Sequence, residues 1–253
     1  MSQYDLTIIL PGIRTDNWEQ LFFSAQRSIG PYSFELIAVG PYNPPPEITQ
    51  HDNFKFIRDF GCPSRCVQIG AATANGKYLC WMSDDGLYEP NTLEQCLDLL
   101  EELDNKKNGM ALRYFEGEGK GVFPLEYWTA RHHGDQQIPG VKEGHKIAPL
   151  GMYNTEYFRE IGGLDCRYEH INMCTHDLAF RLQNDGGTIH LSPETVARFY
   201  WSWVTADAGP VQRAYHENDA PLFKREWSQD QSQRIIIDFD NWKQSPEKWV
   251  RRF

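Results

Sequence analysis

The sequence predicts an α/β protein whose mostly parallel sheet is flanked by helices and followed by a C-terminal extension. Short apolar runs alternate with segments of helical periodicity over about the first 100 residues, as in doubly wound sheets. One of these runs ends abruptly in two carboxylates and a glycine, Asp84-Asp85-Gly86. Because ligands of open α/β sheets bind outside the carboxyl ends of the strands, this stretch predicts the functional site.

The first half of the chain supplies most of the predicted elements. Apolar runs rich in β-branched and aromatic residues predict strands over 6–10, 34–39, 54–57, 78–82 and 110–115. Apolar positions at helical spacing predict helices over 18–29, 63–75 and 92–103. Asp16 or Asn17 is the expected N-cap of the first helix, and Asn75 or Gly76 is the expected C-cap of the second.

The second half is less regular. Residues 116–146 form a long segment of glycines, charged residues and histidines, which is typical of a functional or disordered loop. A short helix is expected over 153–161, and a further helix is expected to begin at an N-cap formed by Thr175. Residues 189–191 predict an edge-like strand, and the tryptophan-rich remainder predicts an extension packed over the sheet.

Composition limits the classes of function. A chain of 253 residues with 40% hydrophobic and 24% charged residues is that of an ordinary globular protein. The net charge of −10 argues against a nucleic-acid partner, which would need a basic surface. The six cysteines include no CxxC pair, and no apolar run approaches the length of a membrane span. We therefore expect a reduced, cytoplasmic chain without a transmembrane segment.

The acidic pair itself suggests a cation. Two adjacent carboxylates repel each other unless positive charge lies beside them. A Mn²⁺ or Mg²⁺ ion that bridges Asp85 to a phosphate-bearing ligand would supply this charge. The alternative is that Asp84-Asp85-Gly86 is only a surface turn, since Asp and Gly are common turn residues.

Five segments, in this order, resemble the family 2 nucleotide-sugar-dependent glycosyltransferases of the GT-A fold. The segments are the strand ending in Pro11, the Gly61–Tyr78 stretch that contains Arg65, Ser83-Asp84-Asp85 with Pro90, Ile161-Gly162-Gly163-Leu164-Asp165, and His176-Asp177-Leu178 through Arg181. The resemblance covers roughly residues 4–192. It implies a Rossmann-like GT-A domain over 1–192, with a donor half of about 1–105 and an acceptor half of about 106–192, and an extension over 193–253 packed on the same domain.

The same resemblance implies an activity and a set of site residues. The activity would be metal-dependent transfer of a sugar, with inversion, from a nucleotide-diphosphate donor to a glycan or other hydroxyl acceptor, as in polysaccharide or glycan biosynthesis. Asp85 would be the metal ligand, and His216 a late metal or diphosphate contact. Donor contacts would come from Pro11, Gly12, Arg14, Gly40, Asp59, Arg65, Ser83, Asp84, Lys224 and Arg225.

Three positions depart from the family pattern. Ser83 replaces the first aspartate of the DxD motif, and Gly40 stands where a base-reading aspartate is common. Thr175 or His176 falls where the family places its catalytic base. Asp177 is the expected base and His176 is the rival, because only these two accept a proton near neutral pH. These departures keep open a non-catalytic binder of nucleotide sugars or glycans. A nucleotidyltransferase is disfavoured because no glycine-rich phosphate loop with a lysine follows the first strand.

Overall fold

The computed structural model describes residues 2–117, 122–123, 144–200 and 209–244. The strands are β1 Tyr4–Pro11, β2 Phe34–Gly40, β3 Phe54–Arg58, β4 Gly76–Trp81, β5 Gly86–Tyr88, β6 Asn108–Glu116, β7 Val122–Phe123, β8 Gly151–Asn154 and β9 Thr188–Phe199. The α-helices are α1 Trp18–Ser28, α2 Pro46–Thr49, α3 Pro63–Thr73, α4 Thr92–Leu103, α5 Thr155–Glu160, α6 Ile171–Asn184, α7 Gly209–Ala214 and α8 Ala220–Glu226. A π-helix covers Tyr215–Asp219, and 3₁₀ turns cover Thr15–Asn17 and Phe239–Gln244.

These strands form one sheet in the order β3-β2-β1-β4-β8-β6-β9-β5, with β7 paired to β6. The first four strands in this order are parallel, and β6 and β9 are parallel to each other. Strand β8 runs antiparallel to both β4 and β6, and β5 runs antiparallel to β9. The mostly parallel α/β fold expected from the sequence is confirmed.

The sheet has helices on its faces, which explains its sequence pattern. Every residue of β2 is buried, and the centre of β1 is buried as well. Parallel strands covered on both sides read as continuous apolar runs, which is why β1–β4 are predictable from sequence alone. The carboxyl ends of β1, β2 and β4 consequently meet at one edge of the sheet.

Two predicted boundaries are wrong for local reasons. Tyr153 belongs to β8 rather than to a helix, because α5 begins only after Asn154, whose side chain caps the Tyr157 N–H. Helix α3 ends at Ala74 in an extended conformation, so neither Asn75 nor Gly76 is its C-cap.

Helix α6 begins five residues earlier than expected. His170 is its N-cap, and the Nδ1 atom of His170 accepts a hydrogen bond from the Asn172 N–H. Thr175 lies inside the helix and donates back to the Asn172 carbonyl. Asp177 therefore lies well beyond the first turn of the helix.

Strand β9 is much longer than the expected edge strand and lies between β6 and β5. Its pairing with β6 shifts register near Arg113, whose N–H donates to the Ser192 Oγ. This irregularity accommodates Pro193, which has no N–H to give to a ladder. The proline and the register shift explain why the sequence predicts a strand only over residues 189–191 of this longer element.

Part of the C-terminal region packs against α6. Trp227 is fully buried, and its ring lies edge-on to the ring of Phe180. The main chain of Phe239 and Trp242 accepts hydrogen bonds from Gln68 and Arg65. Within the described residues no helix has the length and apolarity that crossing a bilayer requires. The division into donor half, acceptor half and extension stays a prediction.

Candidate active site

A cavity of about 420 Å³ opens at the carboxyl ends of β1, β2 and β4. It is the location that the parallel topology predicts for a ligand. Its floor comes from the residues that follow these strands, and its walls come from the starts of α3 and α6 and from β6 and β9. The lining residues are Pro11–Arg14, Val39–Pro41, Gly61, Pro63, Cys66, Trp81–Asp85, Tyr114, Glu116, Pro149, Leu150, His170–Asn172, Phe199, Val211 and Gln212.

Asp84 is the most heavily bonded side chain of the cavity. One carboxylate oxygen accepts the N–H groups of Ile13 and Arg14, both at 2.6 Å. The other accepts hydrogen bonds from the Nε and Nη2 atoms of Arg14. Asn17, the N-cap of α1, donates its side-chain amide to the Asp84 carbonyl at 2.9 Å. Asp84 is only 1% exposed, so it fixes the loop after β1 rather than facing a sugar.

Asp85 lies beside this cluster and is accessible to the cavity. Its Oδ1 atom is 3.5 Å from Nη2 of Arg14 and accepts no hydrogen bond from the described residues. Its carbonyl accepts the Tyr200 N–H at 2.7 Å, which ties the acidic segment to the end of β9. The Nη2 atom of Arg14 also approaches the Ser83 Oγ to 3.5 Å. One guanidinium therefore faces all three residues at the position of the DxD motif.

This arrangement does not fit a divalent metal well. Both oxygens of Asp84 are occupied, Ser83 offers only a hydroxyl, and a cation already stands beside Asp85. Among the described residues, no group of three or more His, Cys, Asp and Glu side chains is arranged to hold a metal ion. A dication placed next to Asp85 would also meet repulsion from the guanidinium of Arg14.

Gly40 lines the cavity because two strand ends approach closely there. A Cβ atom at this position would lie 2.0 Å from the Gly12 carbonyl oxygen, which is backbone and cannot rotate away. A Cβ atom on Gly12 would in turn meet the indole of Trp18 at 2.8 Å. A base-reading aspartate therefore cannot occupy position 40 without moving the loop after β1.

Asp59 and Arg65 form a pair outside the cavity lining. The Nε atom of Arg65 donates to Asp59 at 3.0 Å, and the Asp59 carboxylate also accepts the Gly61 N–H. Arg65 reaches the Trp242 carbonyl, and its guanidinium lies over the Trp242 ring at 5.6 Å. This pair shapes the turn that delivers Gly61 to the cavity and does not itself face a donor.

The two expected bases lie in the core instead of the cavity. Asp177 is fully buried, and its Oδ2 accepts a hydrogen bond from Arg181 Nε at 2.7 Å. Its Oδ1 accepts from Arg234 Nε at 3.0 Å and from the Trp227 indole at 3.2 Å. His176 is buried against the ring of Phe223. Neither side chain lines the cavity, and the surroundings of both are those of packing residues. The assignment of the base to Asp177 or His176 stays a prediction.

The cationic and imidazole groups expected from the C-terminal part are also outside the lining. Lys224 and Arg225 are exposed on α8, and Arg225 faces Glu226. His216 is exposed in the π-helix and packs edge-on against Tyr215. The structure does not bring these three residues to Asp85.

The sequence reasoning missed several lining residues, of which three carry chemistry. Glu116 ends β6 and shares the cavity wall with Tyr114. The indole N–H of Trp81 is buried beside the cavity without a hydrogen-bond partner in the described part of the chain. His170 caps α6 at the opposite wall. The rule that strand ends supply site residues would have found Glu116, had it been applied to the strand expected over 110–115.

Burial controls the protonation of His170, which lines the cavity at the start of α6. Burial, and then the charge of His216, lower the pKa of His170 to about 4. The imidazole is therefore neutral near pH 7. Its Nδ1 accepts the Asn172 N–H, which leaves the hydrogen on Nε2. Asp219 accepts the main-chain N–H groups of Glu169 and His170, and burial raises its pKa to about 6.

The comparisons with known proteins agree with this fold. The model of the family "Glycosyl transferase family 2" matches residues 57–162. A protein described as an uncharacterized glycosyltransferase of Rickettsia conorii is 29% identical over 82 residues. That match covers 28% of this chain and 13% of the rickettsial protein, so the chain corresponds to a small part of that relative.

Solved structures of S. aureus TarS share the architecture. TarS 1–349 in complex with UDP superposes with a TM-score of 0.57 at 13% identity, over 85% of this chain and 66% of that one. A longer TarS structure gives 0.59 at 12% identity, over 90% and 44% respectively. At this level of identity, the likeness concerns the fold.

The mostly parallel sheet of this chain has the fold of the TarS structures, as expected for a GT-A domain. Residues 57–162 match the model of the family 2 glycosyltransferases. The resemblance to this family that the sequence predicts is confirmed for that part of the chain.

Proposed function

We propose that the protein transfers a sugar from a nucleotide-diphosphate donor to a hydroxyl group of a glycan or similar acceptor, with inversion. The observation that carries the proposal is the cavity at the ends of β1, β2 and β4, where Arg14 and Asp84 organise the floor. The cavity lies where ligands of open α/β sheets bind, and the TarS structure of the same fold was solved with UDP. No divalent metal enters the proposal, since the donor set around Asp85 does not fit one.

Electrostatics support an anionic donor in this cavity. The starts of α3 and α6 both line it, and neither helix has an acidic residue in its first turn. The positive ends of these two helix dipoles stabilise negative charge nearby. Arg14 adds a guanidinium on the same side, whose charge is shared with Asp84 and Asp85. Together they favour a diphosphate in a protein whose net charge is −10.

We propose Glu116 as the proton acceptor for the attacking hydroxyl. Among the carboxylates of the cavity lining, Asp84 is consumed by hydrogen bonds and Asp85 faces the guanidinium of Arg14. His170 is the lining imidazole, and its lowered pKa and its capping bond make it a weak base. Glu116 lies on the wall formed by β6 and β9, opposite the β1–β2 side where the donor would bind.

A non-catalytic binder on the same fold is the second candidate. It is favoured by the start of α6, which has no acid in its first turn although the family places its base on this helix. Such a protein would bind nucleotide sugar without releasing nucleoside diphosphate.

To test the proposal, the purified protein is incubated with a panel of nucleotide sugars. Binding and release of nucleoside diphosphate are both measured. Binding with release, with inverted product seen in the anomeric NMR signal, supports transfer. Binding without release over long incubation, for every nucleotide sugar and acceptor class tried, supports the binder. Failure to bind any nucleotide or nucleotide sugar overturns both.

A further inference from the structure

We propose that Arg14 supplies the positive charge for which the family pattern implies a divalent metal, so that this chain binds its donor diphosphate without a metal ion. The inference rests on the proposed function, because it concerns how the same cavity holds its donor. It starts from the disagreement between the residues around Asp85 and a metal site.

The first step is the position of the guanidinium. Its Nη2 atom bonds Asp84 and lies 3.5 Å from both Ser83 Oγ and Asp85 Oδ1. These are the three positions that correspond to the DxD motif. The repulsion expected between two adjacent carboxylates is therefore relieved by a residue of the chain itself.

The second step is that Arg14 is held in place. Its own N–H and that of Ile13 bond the same Asp84 oxygen at 2.6 Å, while its Nε bonds the other oxygen at 2.6 Å. Main chain and side chain thus grip one carboxylate that is 1% exposed. An arginine fixed in this way is preorganised, so little side-chain entropy remains to be lost when a ligand binds.

Although it is held in place, Arg14 still faces the cavity. The residue lines the cavity, and its side chain remains 14% exposed. A guanidinium has five N–H donors in a planar fork that matches phosphate oxygens. Asp84 uses the Nε and one Nη2 donor, so others are available to a diphosphate. A diphosphate would then be bound by these guanidinium N–H groups directly rather than through a metal.

The decisive experiment is isothermal titration calorimetry of the wild-type protein with UDP, GDP, CDP and dTDP, each in EDTA and in Mn²⁺. We expect one nucleotide to bind with dissociation constants that agree within about fivefold in the two conditions, a difference of roughly 1 kcal/mol. Affinity that rises by more than this in Mn²⁺ overturns the inference and leaves the glycosyltransferase proposal standing. No binding under either condition overturns the donor proposal and the inference with it.

Variants of Arg14 add an independent test. In Arg14→Met, the two carboxylates lose their cation, so binding in EDTA should fall by about tenfold or more. Mn²⁺ should then restore part of that loss, because the vacated position now favours a dication. Arg14→Lys keeps a charge and should gain little from Mn²⁺. Arg27→Met, at the exposed end of α1, is the matched control and should bind as the wild type does.

If Arg14→Met does not fold, as judged by its thermal transition, the wild-type comparison and Arg14→Lys decide the question. A folded Arg14→Met variant that binds in EDTA like the Arg27→Met control contradicts the assignment.

Discussion

Asp177 and Arg181 form a fully buried ion pair one turn apart on α6, with 2.7 Å between Oδ2 and Nε. Arg181 extends this pair to the Ile161 carbonyl at 2.6 Å and to the Gly163 carbonyl, and Arg234 completes it from the C-terminal side. The pair thus joins the glycine turn before α6 to residues far along the chain. The segment that the sequence predicts to carry the base thus holds a structural ion pair in the fold.

The first prediction follows from the burial of this pair. Asp177→Ala should lower the free energy of unfolding by about 3–5 kcal/mol, since it leaves the buried Arg181 without its partner. Urea unfolding measures the loss, and Asp52→Ala at an exposed loop position is the control. A catalytic base would behave differently: its removal would abolish transfer while stability stayed near that of the wild type.

Glu116 is expected to show the opposite behaviour. Glu116→Gln should reduce transfer by roughly 10²–10⁴-fold, the range for loss of a general base, while nucleotide affinity changes little. The measurements are initial rates of nucleoside diphosphate release and calorimetric binding on the same preparation. Full activity in this variant would exclude Glu116 as the proton acceptor.

The close approach at Gly40 predicts that a substitution there lowers both stability and nucleotide affinity. Gly40→Ala places a methyl group 2.0 Å from the Gly12 carbonyl, so the loop after β1 must move. We expect a loss of about 1–3 kcal/mol in stability and weaker nucleotide binding, because that loop carries Arg14. Gly209→Ala is the control, since its Cβ would meet the nearest atom only at 3.6 Å. Equal melting temperatures for the two variants would contradict this account.

His170 predicts a pH dependence of stability with a definite sign. Its pKa in the folded protein is about 4, below the ordinary value of 6.5, so the unfolded chain binds more protons between these pH values. Stability from this group is fully present above pH 6.5 and is lost as the pH falls towards 4. At pH 5 the loss is about 2 kcal/mol relative to pH 7.

His170→Asn keeps an N-capping side chain but removes the titration, so it should lose less stability than the wild type between pH 7 and 5. Asp219 works against His170 in part of this window. Its pKa of about 6 lies above the ordinary value of 3.8, so its contribution falls as the pH rises from 3.8 to 6. Urea unfolding of both proteins at the two pH values isolates the histidine, because Asp219 is common to them. Identical pH slopes would rule out the assigned shift.

Strands such as β1 and β2 could be predicted because their burial on both faces leaves a continuous apolar run in the sequence. Strand β8 could not, since its four residues run directly into α5 and Tyr153 fits either element. The start of α6 was misplaced because histidine is an unusual N-cap, whereas Thr175 is a favoured type. Local sequence therefore predicts elements whose burial is uniform. It gives wrong boundaries where two local signals compete.

The candidate site is likewise only partly predictable from the sequence. The acidic segment was predictable, because a strand end with two carboxylates is visible within a few residues. The Arg14–Asp84 bond was not, because its partners are 70 residues apart and only the parallel pairing of β1 with β4 brings them together. The Asp177–Arg181 spacing is the same whether the carboxylate faces a cavity or the core. Burial, which separates these cases, is a property of the folded chain.

The contact between Asp177 and Arg234 also affects the order in which parts of the chain can fold during synthesis. The two residues are 57 positions apart, so the ribosome makes Asp177 several seconds before its second partner, at roughly 5–20 residues per second. During that interval the nascent chain holds Asp177 and Arg181 without the indole of Trp227 or the guanidinium of Arg234. Helix α6 can therefore reach its final packing only after translation has passed the C-terminal segment. Docking of that segment is thus a late step in folding.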